Sequence, residues 1–392
     1  MDDREIPRRP WGLLISMVAL WTATATATAT PTAVAGPREA DCPLAHAAYS
    51  SRTILLDLLI NPETLAVLKR DAPALLTPPM GEGSWPSQPP SFAAILTPEA
   101  LQHLGTDASL TQLDADLSRI PVTAEAARAR CARYDRVPPS LPPGLKQPSV
   151  LVFDKVTGFR DDASITAAEH ALRAMAGRLK WSLVRTDNAA VFNDRDLRRF
   201  DVVVWNNVSG DVLTVAQERA FKEWLNTGGG YVGIHGSGGD PVYVWSWYVN
   251  RLLGAQFKGH PLNPQFQSAT VNVSDPHAGI TRGMDASWTM SEEWYSFTSS
   301  PRLRGAHVLA TLDETTYSPL GIGGMDLRMG DHPIAWTRCI RDGRAFYTAI
   351  GHRPESYSEP HALRLLQRGI AWAAGRGETR CRGGEETLNA SK

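Results

Sequence analysis

The chain is predicted to be an α/β protein: a parallel sheet covered by helices on both faces, with a β-rich C-terminal part and a small helical domain in front. Three observations predict this. Continuous apolar runs alternate with amphipathic helical stretches between residues 149 and 234. After about residue 255 the pattern becomes β-rich, and residues 41–135 read as short capped helices.

The front helices announce themselves by their caps. "NPETLAVLKRDAPALL" has Asn61 at the N-cap, Pro62 at the first helical position and Glu63 in the first turn. "TPEALQHLG" repeats the device with Thr97, Pro98 and Glu99 and stops at Gly105. In "SLTQLDADLSRI", Leu110, Leu113, Leu117 and Ile120 fall at helical spacing. "RVPPSLPPGLKQP", residues 136–148, carries five prolines and excludes both a regular helix and a central strand. It divides a helical domain (36–135) from an α/β domain (149–376), with a tail at 377–392.

Within the α/β part the reading is strand "SVLVFDK", helix "DASITAAEHALRAMAGRLK", strands "WSLVRT" and "DVVVWNN", helix "TVAQERAFKEWLNTG" and strand "GYVGIH". The β-rich portion holds "ATVNVSD", "HVLATLDE" and a hairpin, "IAWTRCIRDGRAFYTAIGH", turning at Asp342-Gly343. "HALRLLQRGIAWAAG" closes the domain as a helix. Ligands of such sheets sit beyond the carboxyl ends of the strands. That places "DKVTGFRDD", "NNVSGD" and "HGSGGD" at the ligand edge.

The 392 residues carry a net charge of -1, so nothing favours a nucleic acid or other polyanion. The N-terminus (residues 1–35) reads as an export signal. Arg4, Arg8 and Arg9 precede the apolar run Trp11–Trp21, which is too short for a stable membrane span, and Ala33-Val34-Ala35 fits a cleavage site. A periplasmic or secreted protein is expected. Cys42, Cys131, Cys339 and Cys381 then suggest two disulfides. Of the three possible connectivities, Cys42–Cys131 and Cys339–Cys381 are favoured because each stays within one domain.

"VLVFDKVTGFRDDASI", "DVVVWNNVSGDVL", "FKEWLNTGGGYVGIHG", "FKGHP", "EEWYSF", "DHPIAW" and "FYTAIGHRPESY" run in order through residues 149 to about 375. Together they resemble the ThuA-like family, named for trehalose utilisation, within the class I glutamine amidotransferase-like superfamily. The resemblance implies a flavodoxin-like sheet and a role in sugar metabolism. Amidotransferases of that superfamily place a cysteine nucleophile on the elbow after a central strand. This chain has His235 at that bend and no cysteine near it, which argues against glutamine hydrolysis through a thioester.

An imidazole at such a bend suits a general base or a metal ligand. His352, in "AIGH" at a strand end, and Glu293 in "SEEWY" are candidate companions, with Glu292 the alternative carboxylate. Catalysis by His235, Glu293 and His352 is therefore expected. Arg160, Asn206, Asn207, His260, His332, Trp247, Tyr248 and Trp294 are candidates for binding a hydroxyl-rich ligand, the aromatic rings by stacking on sugar C–H faces. A structural role is the alternative for each of them, and core packing accounts for most of the aromatic residues. No cofactor is expected. His235, His260, Glu293 and His352 are also ligand types for a divalent metal, although no short histidine or cysteine spacing appears. No GxGxxG or Walker loop implies a nucleotide. The function expected is an exported sugar-active enzyme doing acid–base chemistry (hydrolysis, elimination or isomerisation) on a small sugar or keto-sugar. A carbohydrate-binding protein without catalysis and a metal-dependent hydrolase are the alternatives.

Overall fold

The computed structural model describes residues 41–78, 84–103, 109–376 and 379–388. The export signal and the Gly105 helix stop fall outside the described residues.

Five short helices come first: α1 (Leu55–Leu59), α2 (Pro62–Asp71), α3 (Pro98–His103), α4 (Leu110–Leu117) and α5 (Ala124–Cys131). The caps act as their sequences predict. Asn61 Oδ1 accepts from the Glu63 N–H at 2.9 Å, and Thr97 Oγ1 accepts from that of Ala100 at 3.1 Å. Leu55, Leu58, Leu68, Leu75, Leu113 and Leu117 bury together as one core, against which Val242 and Val244 of the α/β part also pack. The Cys42–Cys131 disulfide closes this region. A buried ion pair, Arg133 Nη1 to Asp57 Oδ1 at 2.6 Å, lies inside it. Tyr134 Oη donates to Asp211 at 2.6 Å and the Ser91 N–H to the Thr157 carbonyl at 3.0 Å, so helical and α/β parts meet in one compact unit.

The α/β part runs β1 (Ser149–Phe153), α6 (Asp162–Leu179), β2 (Ser182–Thr186), α7 (Asp194–Leu197), β3 (Val202–Asn206), α8 (Val215–Asn226) and β4 (Gly230–Ile234). It continues through β5 (Phe257–Gly259), β6 (Phe266–Val273), β7 (Ser287–Glu293), β8 (Ser296–Phe297), β9 (His307–Leu312), β10 (Pro333–Ile340) and β11 (Gly343–Thr348). Helix α9 (Pro360–Ala373) and the strands β12 (Thr379–Arg382) and β13 (Glu385–Leu388) follow. Nine strands form one mixed sheet in the order β2-β1-β3-β4-β11-β10-β9-β6-β7. Pairings from β2 through β11 are parallel, and those from β11 to β7 are antiparallel. The longer strands of the β-rich portion thus extend the flavodoxin-like sheet, while β5 with β8 and β12 with β13 form two separate antiparallel pairs.

β1, β3 and β4 are buried along their whole length, as their unbroken apolar runs require. Helix α8 seats Phe221 and Leu225, and α9 seats Leu365, Leu366 and Ile370, in the core beneath them. The hairpin turns one residue earlier than predicted. Its loop is Arg341-Asp342, with Arg341 at φ +57°, and Gly343 already pairs with Ile340. Gly343 is small for a different reason: a Cβ there would stand 2.0 Å from the Leu225 carbonyl oxygen. The Cys339–Cys381 disulfide ties β10 to β12. Among the described residues no helix is long and apolar enough to cross a membrane.

Candidate active site

β4 ends at Ile234, and His235 begins a single 3₁₀ turn, His235–Gly238. His235 adopts φ +37°, a left-handed conformation that costs a non-glycine residue about 1–2 kcal/mol. Its surroundings enforce the bend. The Gly236 N–H donates to Asn207 Oδ1 at 3.1 Å, Ser237 Oγ donates to the Trp205 carbonyl at 2.9 Å, and Tyr347 Oη donates to the His235 carbonyl at 2.9 Å. Asn207, just past β3, is itself left-handed at φ +54°. No side chain fits at Gly239, where a Cβ would lie 2.6 Å from Tyr295 Oη.

Pinned in this way, His235 is 2% exposed, with the Tyr295 ring stacked on its imidazole at a centroid distance of 4.0 Å. His235 Nδ1 lies 2.7 Å from the Ala349 carbonyl oxygen, which can only accept, so Nδ1 carries a proton and Nε2 is the nitrogen left to the cluster. Nε2 faces Glu293 Oε2 at 3.1 Å and His352 Nδ1 at 3.2 Å; those two atoms are 3.0 Å apart. The outer nitrogen of His352, Nε2, points at Asp161 Oδ2 from 3.4 Å. Glu293 Oε1 accepts from Gln265 Nε2 and lies 3.2 Å from His260 Nδ1.

The charges follow from these contacts. Burial pushes the Glu293 carboxyl up, but hydrogen bonds with the His235 and His352 rings and the charge of His260 outweigh it, holding Glu293 well below the ordinary carboxylate range. Burial lowers His352, yet its bond to Glu293 and the charges of Glu293 and Asp161 leave it raised above an ordinary imidazole. A Glu293 carboxylate beside a His352 imidazolium is the arrangement these shifts favour.

The adjacent carboxylate has other work. Glu292 is fully buried and accepts from the backbone N–H groups of Glu293 (2.9 Å), Gly351 (3.0 Å) and Arg353 (3.2 Å) and from Ser356 Oγ. It fixes the loop that carries His352.

The cluster lies on the floor of a cleft of about 1200 Å³. Arg160, Asn207 and His260 line this cleft along with His235, Glu293 and His352. Arg160 Nε donates to Asp162 Oδ1 at 2.7 Å and Nη1 to the Asp154 carbonyl at 3.4 Å. Five other sequence candidates lie elsewhere. Asn206 is buried and donates to the Ile165 carbonyl at 3.0 Å, tying α6 to the sheet. Trp247 packs on Trp245, 5.0 Å between centroids, beneath Lys222. Tyr248 Oη donates to the Ser237 carbonyl from under the elbow. Trp294 is fully buried, its Nε1 donating to the Gln267 carbonyl at 2.8 Å. His332 is held between Glu314 Oε1 (2.8 Å) and the Tyr295 carbonyl oxygen (2.9 Å). For Asn206, Tyr248, Trp294 and His332 a backbone or carboxylate partner satisfies the polar tip, so these side chains belong to the interior, whereas Trp247 is half-buried against Trp245.

The cleft also uses Phe159, Asp161 and Asp240, which lie in segments expected at the ligand edge, and Phe92, Gln265 and Phe266, which the sequence reading passed over. Asp161 has a readable signal, since it caps α6 by accepting from the Ala163 and Ser164 N–H groups. For Phe92 and Phe266, which face water, no local pattern exists.

The family model ThuA, described as trehalose utilisation, matches residues 149–373. No curated protein matches the chain. Among solved structures, a ThuA-like protein of Bacteroides uniformis is 26% identical with a TM-score of 0.50; the match covers 60% of this chain and 95% of that one. A ThuA-like protein of Parabacteroides merdae is 16% identical with a TM-score of 0.43, covering 59% of this chain and 91% of that one.

Proposed function

The chain belongs to the ThuA family, and from that premise we propose an exported enzyme that acts on a carbohydrate at the His235–Glu293–His352 cluster. One observation carries the reading. Two imidazoles and a carboxylate, brought from three separate segments, meet within 3.0–3.2 Å on the floor of a wide cleft. A purely structural cluster has no need of the strained backbone at His235 or of an opening to solvent.

In this reading His235 Nε2 takes a proton from a sugar hydroxyl or from a carbon beside a carbonyl. The proton leaves on the only ring nitrogen not committed to the backbone. The His352 imidazolium, next to it, stabilises the negative charge that develops, and Arg160 acts from the rim. Glu293 keeps the two rings in register and balances their charge. The family name and the two disulfides support a carbohydrate role outside the cytoplasm. A retaining glycosidase mechanism is disfavoured, because Glu292 is engaged with backbone N–H groups, Asp161 caps α6 and Asp240 accepts from Ser209 and Gly210.

A screen of glycosides, disaccharides and keto-sugars with product analysis tests the proposal. The His235→Ala protein should keep its fold and lose about 10²–10⁴-fold in turnover. Wild-type turnover in that variant would refute the assignment. Binding of sugars without any turnover would favour a carbohydrate-binding protein.

A second reading rests on the outer nitrogens. His235 gives its outer N–H to a backbone carbonyl and His352 turns its own toward a carboxylate, which is how metal-bound histidines are oriented. The three inner atoms form a triangle with edges of 3.0–3.2 Å, close enough for all three to share one divalent ion. Two histidines and one carboxylate would then hold the ion. Its chemistry would be to polarise a substrate oxygen or acidify a bound water.

A further inference from the structure

We propose that the cleft contains a separate apolar subsite, formed by Phe92, Ile95, Phe159 and Phe266, that takes the apolar aglycone of a glycoside whose sugar lies on the His235 cluster. The proposal rests on the carbohydrate reading given above. Its own support is independent of that reading.

Exposed aromatic rings come first. Phe92, Phe159 and Phe266 are 42%, 39% and 41% exposed, unusual for rings that touch other apolar groups. They are not scattered. Phe92 stacks on Phe159 at 5.0 Å, Phe159 on the His352 ring at 6.1 Å, and Phe266 meets His352 edge-on at 5.2 Å. A continuous apolar ledge therefore leads from the cleft wall to the reacting cluster.

The division of chemistry along the cleft comes second. Asn207, which accepts from the Gly236 N–H, and Gln265, which donates to Glu293, supply hydrogen-bonding groups at the elbow and the cluster. The side chains of the four ledge residues supply none. A sugar's C–H face can stack on such rings, but its hydroxyls would find no partners among phenyl and sec-butyl groups, so the wall suits a second sugar ring less well than an aryl or alkyl group.

Size and origin come third. A cleft of about 1200 Å³ is larger than a single sugar requires and within reach of a sugar plus a substantial substituent. Phe92 and Ile95 come from the helical segment, outside the residues that the family model matches. The Ile95 side chain sits against Gly158, where a Cβ would lie 2.5 Å from its Cγ2, so the segment is seated directly on the ligand edge of the sheet. This placement makes the helical segment a specificity wall added to the family domain.

The test compares methyl glycosides with 4-nitrophenyl and hexyl glycosides of the same sugars, by calorimetric titration of the full chain. Wild-type protein should bind the aryl or alkyl members at least about tenfold more tightly than the methyl member. Phe92→Ser and Phe266→Ser, at exposed positions and checked for unchanged thermal unfolding, should erase that preference while leaving the methyl affinity unchanged. Equal affinities in the wild type, or a preference untouched by both variants, would overturn the subsite. If no glycoside binds but free 4-nitrophenol does, and Phe92→Ser abolishes this, the subsite stands and the carbohydrate reading falls.

Discussion

Asp240 offers a quantitative test of the cleft's electrostatics. Its carboxyl is buried between Ser209 Oγ, which donates to Oδ1 at 2.6 Å, and the Gly210 N–H, which donates to Oδ2 at 2.7 Å. Burial pushes it from 3.8 up to about 7 despite those two donors, with the nearby Asp211 adding repulsion. The folded chain therefore holds this proton more tightly than the unfolded chain. The stability that this confers is complete below about pH 4 and is lost as pH rises toward 7. A shift of that size corresponds to about 4 kcal/mol. Asp240→Asn imitates the protonated acid: the amide oxygen can accept from Gly210, and the NH₂ can donate to Ser209 once that hydroxyl turns. In urea unfolding followed by tryptophan fluorescence, wild type and variant should agree within about 1 kcal/mol at pH 4.5. At pH 8 the variant should be the more stable, by up to about 4 kcal/mol. Titrating groups that do not interact with Asp240 cancel in the difference. A variant no more stable than wild type at pH 8 would mean that the carboxylate remains charged there and is fully supported by its donors.

Two further outcomes follow from the cluster itself. In Glu292→Gln, whichever side the amide nitrogen takes, it faces a buried N–H donor and leaves that donor unpaired. The expected loss is about 1–3 kcal/mol in denaturant unfolding, with a drop in turnover as the His352 loop shifts; wild-type stability and turnover together would remove Glu292 from this role. If a cation occupies the cluster, purified protein should take up one equivalent of Co²⁺ with a visible absorption band, and Glu293→Ala and His352→Ala should each abolish it. Substoichiometric uptake, with activity unaffected by chelator, would leave the proton-transfer reading alone.

Much of this arrangement was legible because it is locally encoded. Unbroken apolar runs at 150–153 and 202–205 can only be strands covered on both sides, and Asn61 and Thr97 mark helix starts through hydrogen bonds made within three residues. His235 was legible for the same reason, since the glycines around it signal a bend. What failed to show was side-chain destination over long distance. Trp294 and His332 stand beside motif residues, as binding residues would, yet their partners are Gln267 and Glu314, 27 and 18 positions away. Phe92 reaches the cleft only because a segment before the proline-rich stretch folds back onto the sheet edge, and no periodicity within that segment encodes which surface it will meet.

The convergence of the cluster has a topological cause. β3, β4 and β11 are parallel, so their carboxyl ends deliver Asn207, His235 and the Ala349–His352 stretch to one edge. From β11 the sheet crosses four antiparallel pairings to reach β7. An even number of reversals returns β7 to the direction of β4, so its last residue, Glu293, arrives at the same edge, and the sheet must curl for the two to touch. Register then settles which acid enters the cleft. Glu293 opposes Phe266 and Glu292 opposes Gln267, and successive side chains of a strand point to opposite faces. A slip of one residue in β7 would bury Glu293 among the loop N–H groups and present Glu292 to the imidazoles. The carboxylate that anchors the loop and the carboxylate that meets the histidines are thus set by a single register, which the β6–β7 pairing holds along its whole length.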